Sequence, residues 1–374
     1  MRLITKIKLQ TNSEQKLLLK QTLDVCKKAC VFVSSVVFLS STKNKYDLQK
    51  LLYHEVKEDF NLSAQTTILC IQKVTNDYQS KHFTQRHYKK NSAMPFDDRI
   101  LTINLNKNDV SIWTLNGRQK MSFACSKEQL ELLKKRKGQS DLIIQNGEFF
   151  LLVGYEKEES KKIIPDDFLG VDLGIKQIAY DSDRKSYSGD LIEKNRQKYM
   201  KQRKDLQKKG TKNSKRKLCK IRKKEKNFRR SINHKIAKEL VLKAKGTNFG
   251  IALEDLKGIR KKTTVRKKNR NKHSSWSFGQ LRTYIEYKAK LNGVEVIFID
   301  PKYTSTTCPK CTSINKKNRK SQEEFYCIKC NYHENADYVG SINIRQKARI
   351  IYEKDVIGSE KGHVSWPIAV PRNL

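Results

Sequence analysis

Acidic residues are scarce in this sequence: 39 Asp and Glu stand against 79 Lys and Arg, a formal charge of +40 over 374 residues. Self-repulsion at that density weakens a compact fold unless a polyanion neutralises part of it, so nucleic acid is the expected partner. Long apolar runs are missing as well. Residues 29–39 make an eleven-residue stretch broken by Ser34 and Ser35, short of the roughly 20 residues a spanning helix needs. It reads as a core helix. No basic run has a clean apolar face, which argues against a membrane-surface role. The opening Met1-Arg-Leu-Ile-Thr-Lys-Ile-Lys-Leu-Gln lacks the apolar centre of a signal peptide and alternates like a strand. A disulfide framework is lacking too. The nine cysteines are odd in number, and Cys26, Cys30, Cys70, Cys125 and Cys219 are scattered. A reducing cytosol fits best, and a nucleoid-associated cytoplasmic location is expected.

The other four cysteines are ordered. Cys308-Pro-Lys-Cys311, a gap of fifteen residues and Cys327-Ile-Lys-Cys330 form two Cys-x-x-Cys knuckles at the separation of a structural zinc ribbon. Each knuckle sets two thiolates on one tight turn, and the pair closes a tetrahedron around one Zn2+. His333 follows the last cysteine, but the tetrahedron is already complete, so His333 reads as a packing or phosphate contact.

At about 150 residues per domain, the chain should hold two or three. Thr11-Asn-Ser13 offers an N-cap to a helical pattern through Val25, Cys26, Ala29, Val33 and Val36, and a second helical stretch over 46–78 restarts at Asn61-Leu-Ser63. Over 99–155 the apolar period falls to two, and Asn116-Gly117 and Asn146-Gly147 read as hairpin turns, because both residues of such a turn take positive φ. Residues 1–160 are therefore expected to be a small sheet with inserted helices. The polar stretch 156–162, before Pro165, reads as a linker. Beyond it, 168–180 reads as a buried strand, a glycine turn and an antiparallel partner. Residues 249–256 form a second buried strand, 277–291 a helix stopped by Gly293, and 294–299 a strand leading into the ribbon. Between 194 and 230 there are 19 Lys or Arg and only Asp205 and Glu225 as acids, with a helix break at 210–213. Eight more cations lie between Arg260 and Lys272. After Ile344 the sequence turns polar, and 358–374 reads as a flexible tail.

Three acids occupy similar places: Asp172 and Glu254 end buried strands, and Asp337 starts a helix after the ribbon. Taken singly, each serves as readily as a helix cap or an ion-pair partner. Buried acids at strand ends must be paired or hold a cation. If the three meet, hard oxygen ligands suit Mg2+ or Mn2+, and two such ions about 4 Å apart activate water and stabilise the leaving oxygen of a phosphodiester. Asp172 would bridge the pair of ions. Asp181 and Asp183 read as turn residues, and Glu295 and Asp300 flank a strand that could line the same site.

Gly170-Val-Asp-Leu-Gly174, Ile251-Ala-Leu-Glu-Asp-Leu256, Ser277-Phe-Gly-Gln-Leu281 with Tyr287-Lys-Ala289, Tyr303-Thr-Ser-Thr-Thr-Cys-Pro-Lys-Cys311, and Ala336-Asp337 with Ile342-Asn-Ile344 together resemble TnpB. These are insertion-sequence proteins related to the CRISPR type V effectors. The resemblance spans 168–345 and reaches the first 160 residues more loosely. It implies an RNA-guided DNA endonuclease of α/β class: an RNase H-like RuvC domain with a helical insertion and a zinc ribbon, preceded by a wedge-like β-barrel with an inserted recognition lobe.

The implied domains are 1–160, with the lobe at about 40–98; 161–307, with the insertion at about 193–246; the ribbon at 308–332; a last RuvC-like segment at 333–350; and a tail at 351–374. The family's catalytic acids carry over onto Asp172, Glu254 and Asp337, which also favours Glu254 over Asp255. Its zinc ligands fall on Cys308, Cys311, Cys327 and Cys330. The implied partners are a guide RNA and a double-stranded DNA target, bound by a monomer. Two departures stand out. Thr312 and Asn331 replace the usual glycine after each knuckle, and Tyr338-Val-Gly340-Ser341 replaces part of Asn-Ala-Ala after the last acid.

The basic runs then read as contacts to RNA and heteroduplex backbone: Lys201, Arg203, Lys204, Lys215, Arg216, Lys217, Arg222, Lys223, Arg229 and Arg230, and in the second run Arg260, Lys261, Lys262, Arg266, Lys267 and Lys268. Tyr187, Tyr199 and Phe228 are candidates for base stacking, and Gln65, Thr66, Gln72 and Lys73 for reading a target-adjacent motif. Two alternatives stay open: a nucleic-acid binder without cleavage, acting as a repressor, and a transposase acting by strand transfer.

Overall fold

The computed structural model describes residues 1–79, 84–89, 91–256 and 278–357. The cations Arg260, Lys261, Lys262, Arg266, Lys267 and Lys268, with Ser277 and the tail from 358, lie outside the described residues. The chain divides into two units, Met1–Glu158 and Glu159–Leu374.

In the first unit, strands β1 (Arg2–Gln10), β2 (Met94–Phe96), β3 (Leu101–Asn104), β4 (Asp109–Thr114), β5 (Gly117–Ala124), β6 (Arg136–Gln145) and β7 (Glu148–Glu156) form an antiparallel sheet in the order β2-β6-β7-β1-β5-β4-β3. Among the described residues no pairing joins β2 to β3, so the described ladder has two edges. Helices α1 (Ser13–Ser40), α2 (Lys45–Asp59), α3 (Ala64–Tyr78) and the short α4 (Lys127–Lys134) complete the unit. Asn12 caps α1 in a reciprocal box with Gln15, and Ser63 caps α3. Helices and sheet share one apolar core, from Ile7 and Leu9 of β1 to Cys26 and Val33 of α1 and Ile71 of α3.

Hairpins form at both Asn-Gly sites, but both residues are left-handed only at Asn146-Gly147, where φ is 56° and 83°; at Asn116-Gly117, Gly117 alone is positive at 87°. There Thr114 pairs with Gly117, so Leu115 and Asn116 make the turn and glycine supplies the left-handed exit.

The second unit is built on β8 (Asp167–Asp172), β9 (Gln177–Asp181), β10 (Ser186–Ser188), β11 (Phe249–Glu254) and β12 (Val296–Ile299), ordered β10-β9-β8-β11-β12. β8, β11 and β12 run parallel, and β9 and β10 antiparallel. The strands are joined by α5 (Asp190–Lys209), α6 (Lys212–Gly246) and α7 (Phe278–Asn292), and followed by a two-stranded ribbon, β13 (Glu324–Tyr326) and β14 (His333–Asn335), and α8 (Ala336–Ile357). Alternation along the strands feeds two cores. Leu169, Val171, Ile251 and Leu253 pack with Leu240 of α6 and Ile285 of α7, whereas Phe168, Ala252 and Ile299 pack with Ile344 and Ala348 of α8. α8 lies so close to β8 that a Cβ on Gly170 would sit 2.1 Å from the Ser341 carbonyl oxygen and 2.7 Å from the Arg345 nitrogen. Arg345 and Arg349 of α8 both bind buried Asp167. The helix runs on to Ile357, past the expected end at 350, because Ile351 and Tyr352 still pack on the Phe168 core.

The basic insertion is a helical hairpin. Gly210 closes α5 with φ 64° and Thr211 caps α6. α5 buries no residue, and α6 buries an apolar stripe mainly over its last third, at Ile236, Ala237, Leu240, Val241 and Ala244. No described helix is long and apolar enough to cross a membrane.

Candidate functional site

Strand parity and register bring the acids together. Leu253 of β11 pairs with Val171 of β8, so Glu254 and Asp172 come next in line on adjacent parallel strands, about 4.8 Å apart. By the same alternation both point to the α8 side with Ala252, whereas Asp255 points to the opposite face and meets Arg282 of α7. Asp337 stands in the first turn of α8. Three residues on, Gly340 faces Asp172 so closely that a Cβ there would lie 3.1 Å from Asp172 Oδ2. Small residues in the departed Asn-Ala-Ala segment thus keep the helix against the acid.

Burial pushes the Asp172 carboxyl up to about 8, and the neighbouring charges of Glu254 and Asp337 add to the rise. Glu254 is also raised by burial, opposed by the Thr304 hydroxyl and by Lys347 and Arg319. Asp337 is raised by burial against Arg319 and Lys176. The charges of Glu254 and Asp337 thus both reach the buried Asp172 carboxyl. Among the described residues the tight cluster of mutually close ligand atoms is the cysteine one, and the acids are farther apart than that.

Three residues absent from the sequence reading complete the site. The Thr304 hydroxyl donates to Glu254 Oε1 at 2.6 Å. Buried Asn343 of α8 donates to the carbonyls of Thr304 and Thr307 at 2.7 and 2.8 Å. Arg319, from the ribbon, comes within 3.8 Å of Asp337 Oδ1. Thr304 and Asn343 stood inside quoted motifs, so their type was visible. Their pairing, 39 residues apart, was not. Lys347 donates to the Asp300 and Lys302 carbonyls, and Glu295 pairs with Lys162.

The ribbon fits a metal. Cys308 and Cys330 sulfurs are 3.6 Å apart, Cys311 and Cys327 sulfurs 3.5 Å, and all four ligand atoms lie within 4.8 Å of one another. A tetrahedral ion with Zn–S near 2.3 Å requires about 3.8 Å between sulfurs. Burial pushes the Cys308 thiol up to about 12. At Cys327, backbone N–H donors from Cys330 and Lys329 outweigh burial and hold it down at about 6. Both departures from glycine adopt the left-handed backbone, Thr312 at φ 58° and Asn331 at 56°, and their N–H groups close the knuckles onto Cys308 and Cys327 carbonyls at 2.9 Å. His333 pairs with Glu324, outside the cluster. The ribbon core includes Ala336 and Val339 of α8, so the cysteine cluster and the helix bearing Asp337 share one core.

The remaining candidates separate by environment. Lys201, Lys204, Lys215, Arg216, Lys217, Arg222, Lys223 and Arg230 are exposed, Arg229 is half-buried, and Arg203 is engaged with Glu225 across the hairpin. Tyr187 is a core residue, while Tyr199 and Phe228 are half-buried. In the first unit Thr66 is buried against the Ser63 cap, Gln65 bonds Asp97 and Arg99, Gln72 accepts from Lys45, and Lys73 pairs with Asp77. Thr66 therefore offers no surface to a ligand.

Two family models match the chain: "Probable transposase" over 152–258 and "Cas12f1-like, TNB domain" over 278–344. A CRISPR-associated endodeoxyribonuclease Cas12f1 of Syntrophomonas palmitatica is 33% identical over 204 residues, covering 50% of this chain and 40% of that protein. A TnpB-like protein of Methanocaldococcus jannaschii is 36% identical over 117 residues, covering 31% of this chain and 41% of that one. The chain thus spans about two fifths of the length of these curated relatives. The cryo-EM structure titled a Cas12f1-sgRNA-target DNA complex superposes with a TM-score of 0.63 at 16% identity, over 88% of this chain and 81% of that one, which establishes a shared fold. The likeness to TnpB carried by the motifs is borne out: transposase-type and Cas12f1-like segments stand in one chain, in order, with TnpB-like and Cas12f1 relatives.

Proposed function

We propose that this protein is an RNA-guided DNA endonuclease that cleaves phosphodiesters at Asp172, Glu254 and Asp337. The observation that carries the reading is the meeting of three acids, 82 and 83 residues apart in sequence, on one face of an α/β sheet, with Asp172 raised first by burial and then by the charges of the other two. The names and titles of the relatives, an endodeoxyribonuclease and a guide RNA–target DNA complex, support it. Asp172, Glu254 and Asp337 would hold two Mg2+ or Mn2+ ions, with Asp172 shared, and Cys308, Cys311, Cys327 and Cys330 one structural Zn2+. Bound divalent ions would supply an activated water and charge stabilisation at the leaving oxygen.

The chain's own residues do the rest. Thr304 fixes the orientation of Glu254, Asn343 fixes Thr304, and Arg319 sets a positive charge at the mouth of the acid group, where a phosphate would sit. The exposed cations of α5 and α6 would run along the backbone of guide RNA and heteroduplex. The first unit would serve as the wedge-like barrel with its recognition lobe, and a monomer would bind the RNA in the cytoplasm, near the nucleoid.

The test is Asp172→Ala. Purified with its co-purifying RNA and supplied with Mg2+, this variant should cut no matched DNA while binding RNA within a few fold of wild type. Cutting at the wild-type rate would overturn the site, and a wild type that binds RNA and DNA without cutting would favour the repressor reading.

A further inference from the structure

Beside the acid group lies a stack that the cleavage reading does not use. Tyr338 follows Asp337 directly in the first turn of α8. The Arg184 guanidinium lies 4.0 Å from the centre of its ring, and the edge of Tyr180 meets the same ring, with centroids 6.4 Å apart at 63°. Glu334 holds one edge of the guanidinium through a 2.7 Å bond from Nη2. The Arg184 side chain is nevertheless 58% exposed. The guanidinium lies over the tyrosine ring while more than half of the Arg184 side chain is open to solvent.

Arg184 is held there at some strain. Its φ is 65°, a left-handed conformation that a side chain of this size seldom adopts and that persists only when its surroundings over-determine it. They do. Buried Asp181 accepts the N–H groups of Asp183 and Lys185 at 3.1 and 2.9 Å through Oδ1, and Lys243 at 2.7 Å through Oδ2. Arg184 N–H donates to the Asp181 carbonyl at 3.1 Å. Ser182 then ties the turn to β8, donating its N–H to the Gly170 carbonyl at 2.8 Å and accepting the Gly170 N–H at 3.2 Å. Asp172 is two residues further along that strand. The stack is thus anchored to the strand of one acid and the helix turn of another.

We propose that Arg184 and Tyr338 form a shelf on which one nucleobase of the DNA strand stacks, beside the phosphate presented to the acids. A planar guanidinium backed by an aromatic ring and open to solvent is a surface that bases stack on irrespective of sequence. The shelf would fix the strand on one side of the cut without reading which base it holds. This rests on the nuclease reading above, and two assays separate the fates of the two ideas.

In the first, the RNA-loaded wild type cuts matched DNA carrying a single abasic nucleotide moved stepwise through the cut region. One position next to the cut should lower kcat/KM by about tenfold. Arg184→Ala should show a similar loss on intact DNA and no further loss at that position. Arg184→Lys, which keeps the charge beside Glu334 but not the plane, should behave like the alanine variant. Rescue by lysine, or an equal loss on all substrates, would mean that the pair only ties ribbon to hairpin.

In the second assay, 2-aminopurine replaces bases singly in a matched single strand bound to RNA-loaded Asp172→Ala. Its fluorescence should be quenched at the same position and recover in Asp172→Ala/Arg184→Ala. Unchanged or absent quenching overturns the shelf even if cleavage is normal. Position-specific quenching lost with Arg184, in a protein that cuts nothing, supports the shelf and sinks only the nuclease reading.

Discussion

Asp172 shows how a single side chain records its surroundings. Its carboxyl stands at about 8 rather than the ordinary 3.8, so the metal-free fold favours the protonated acid. A raised acid stabilises fully below its unfolded value and loses that contribution as pH climbs through the folded one. Metal-free protein should therefore lose stability between about pH 4 and 8, by on the order of a few kcal/mol at about 1.4 kcal/mol per unit. Asp172→Asn should flatten that decline, and Mg2+ should restore the wild type at pH 8 but not the variant. Thermal melts of both proteins across that range check it. A wild-type slope no steeper than the variant's would remove the mutual repulsion on which the cation reading depends. Asp172 and Glu254 stood out as carboxylates ending apolar runs and Asp337 by its place just after the ribbon, while the choice of Glu254 over Asp255 came from the likeness to TnpB. Arg319 was not legible: nothing local distinguishes it from its lysine neighbours, and only the ribbon's fold brings it to Asp337.

At the scale of elements, the ribbon and α8 behave as one piece. Phe325, Cys308 and Cys327 share their core with Ala336 and Val339, so a zinc ion bound by the cysteines would also stabilise the start of the helix. Elemental analysis should find about one zinc per chain. Removal by a chelator should lower the melting temperature and abolish cleavage while leaving the sheet of the first unit folded. A metal-free protein of unchanged melting temperature would refute this.

Periodicity and turn chemistry made most elements readable: the break at Gly210, the restart at Ser63, and the strands ending in Asp172 and Glu254. α4 escaped because a helix of eight residues gives too few turns for a stripe, although Ser126 and Gln129 form a capping box. The turn at Asn116-Gly117 was assigned the wrong two residues, because glycine can serve as the exit of a turn as well as its centre.

At the scale of the whole molecule, charge dominates. The exposed cations of α5 and α6 project from a hairpin with little core of its own beyond the last third of α6. Their interaction with RNA should follow counterion release, with a slope near 0.7 per phosphate contact for single strands. Replacing Lys215, Arg216 and Lys217 by glutamine should flatten the salt dependence of RNA affinity by about two units of slope. Filter binding over a series of KCl concentrations measures it, and an unchanged slope would place the RNA elsewhere. The division between the two units at 158 falls inside the polar stretch 156–162 that composition marked as a linker, whereas the order of strands in each sheet could not be read, since pairing partners lie far apart in sequence.

The close seat of α8 on Gly170 has a consequence for biosynthesis. The helix that delivers Asp337 is translated more than 160 residues after the strand it lies upon. A ribosome-bound chain exposes the basic hairpin well before that acid emerges. On the proposed function, guide loading would then precede the moment at which the protein becomes able to cut.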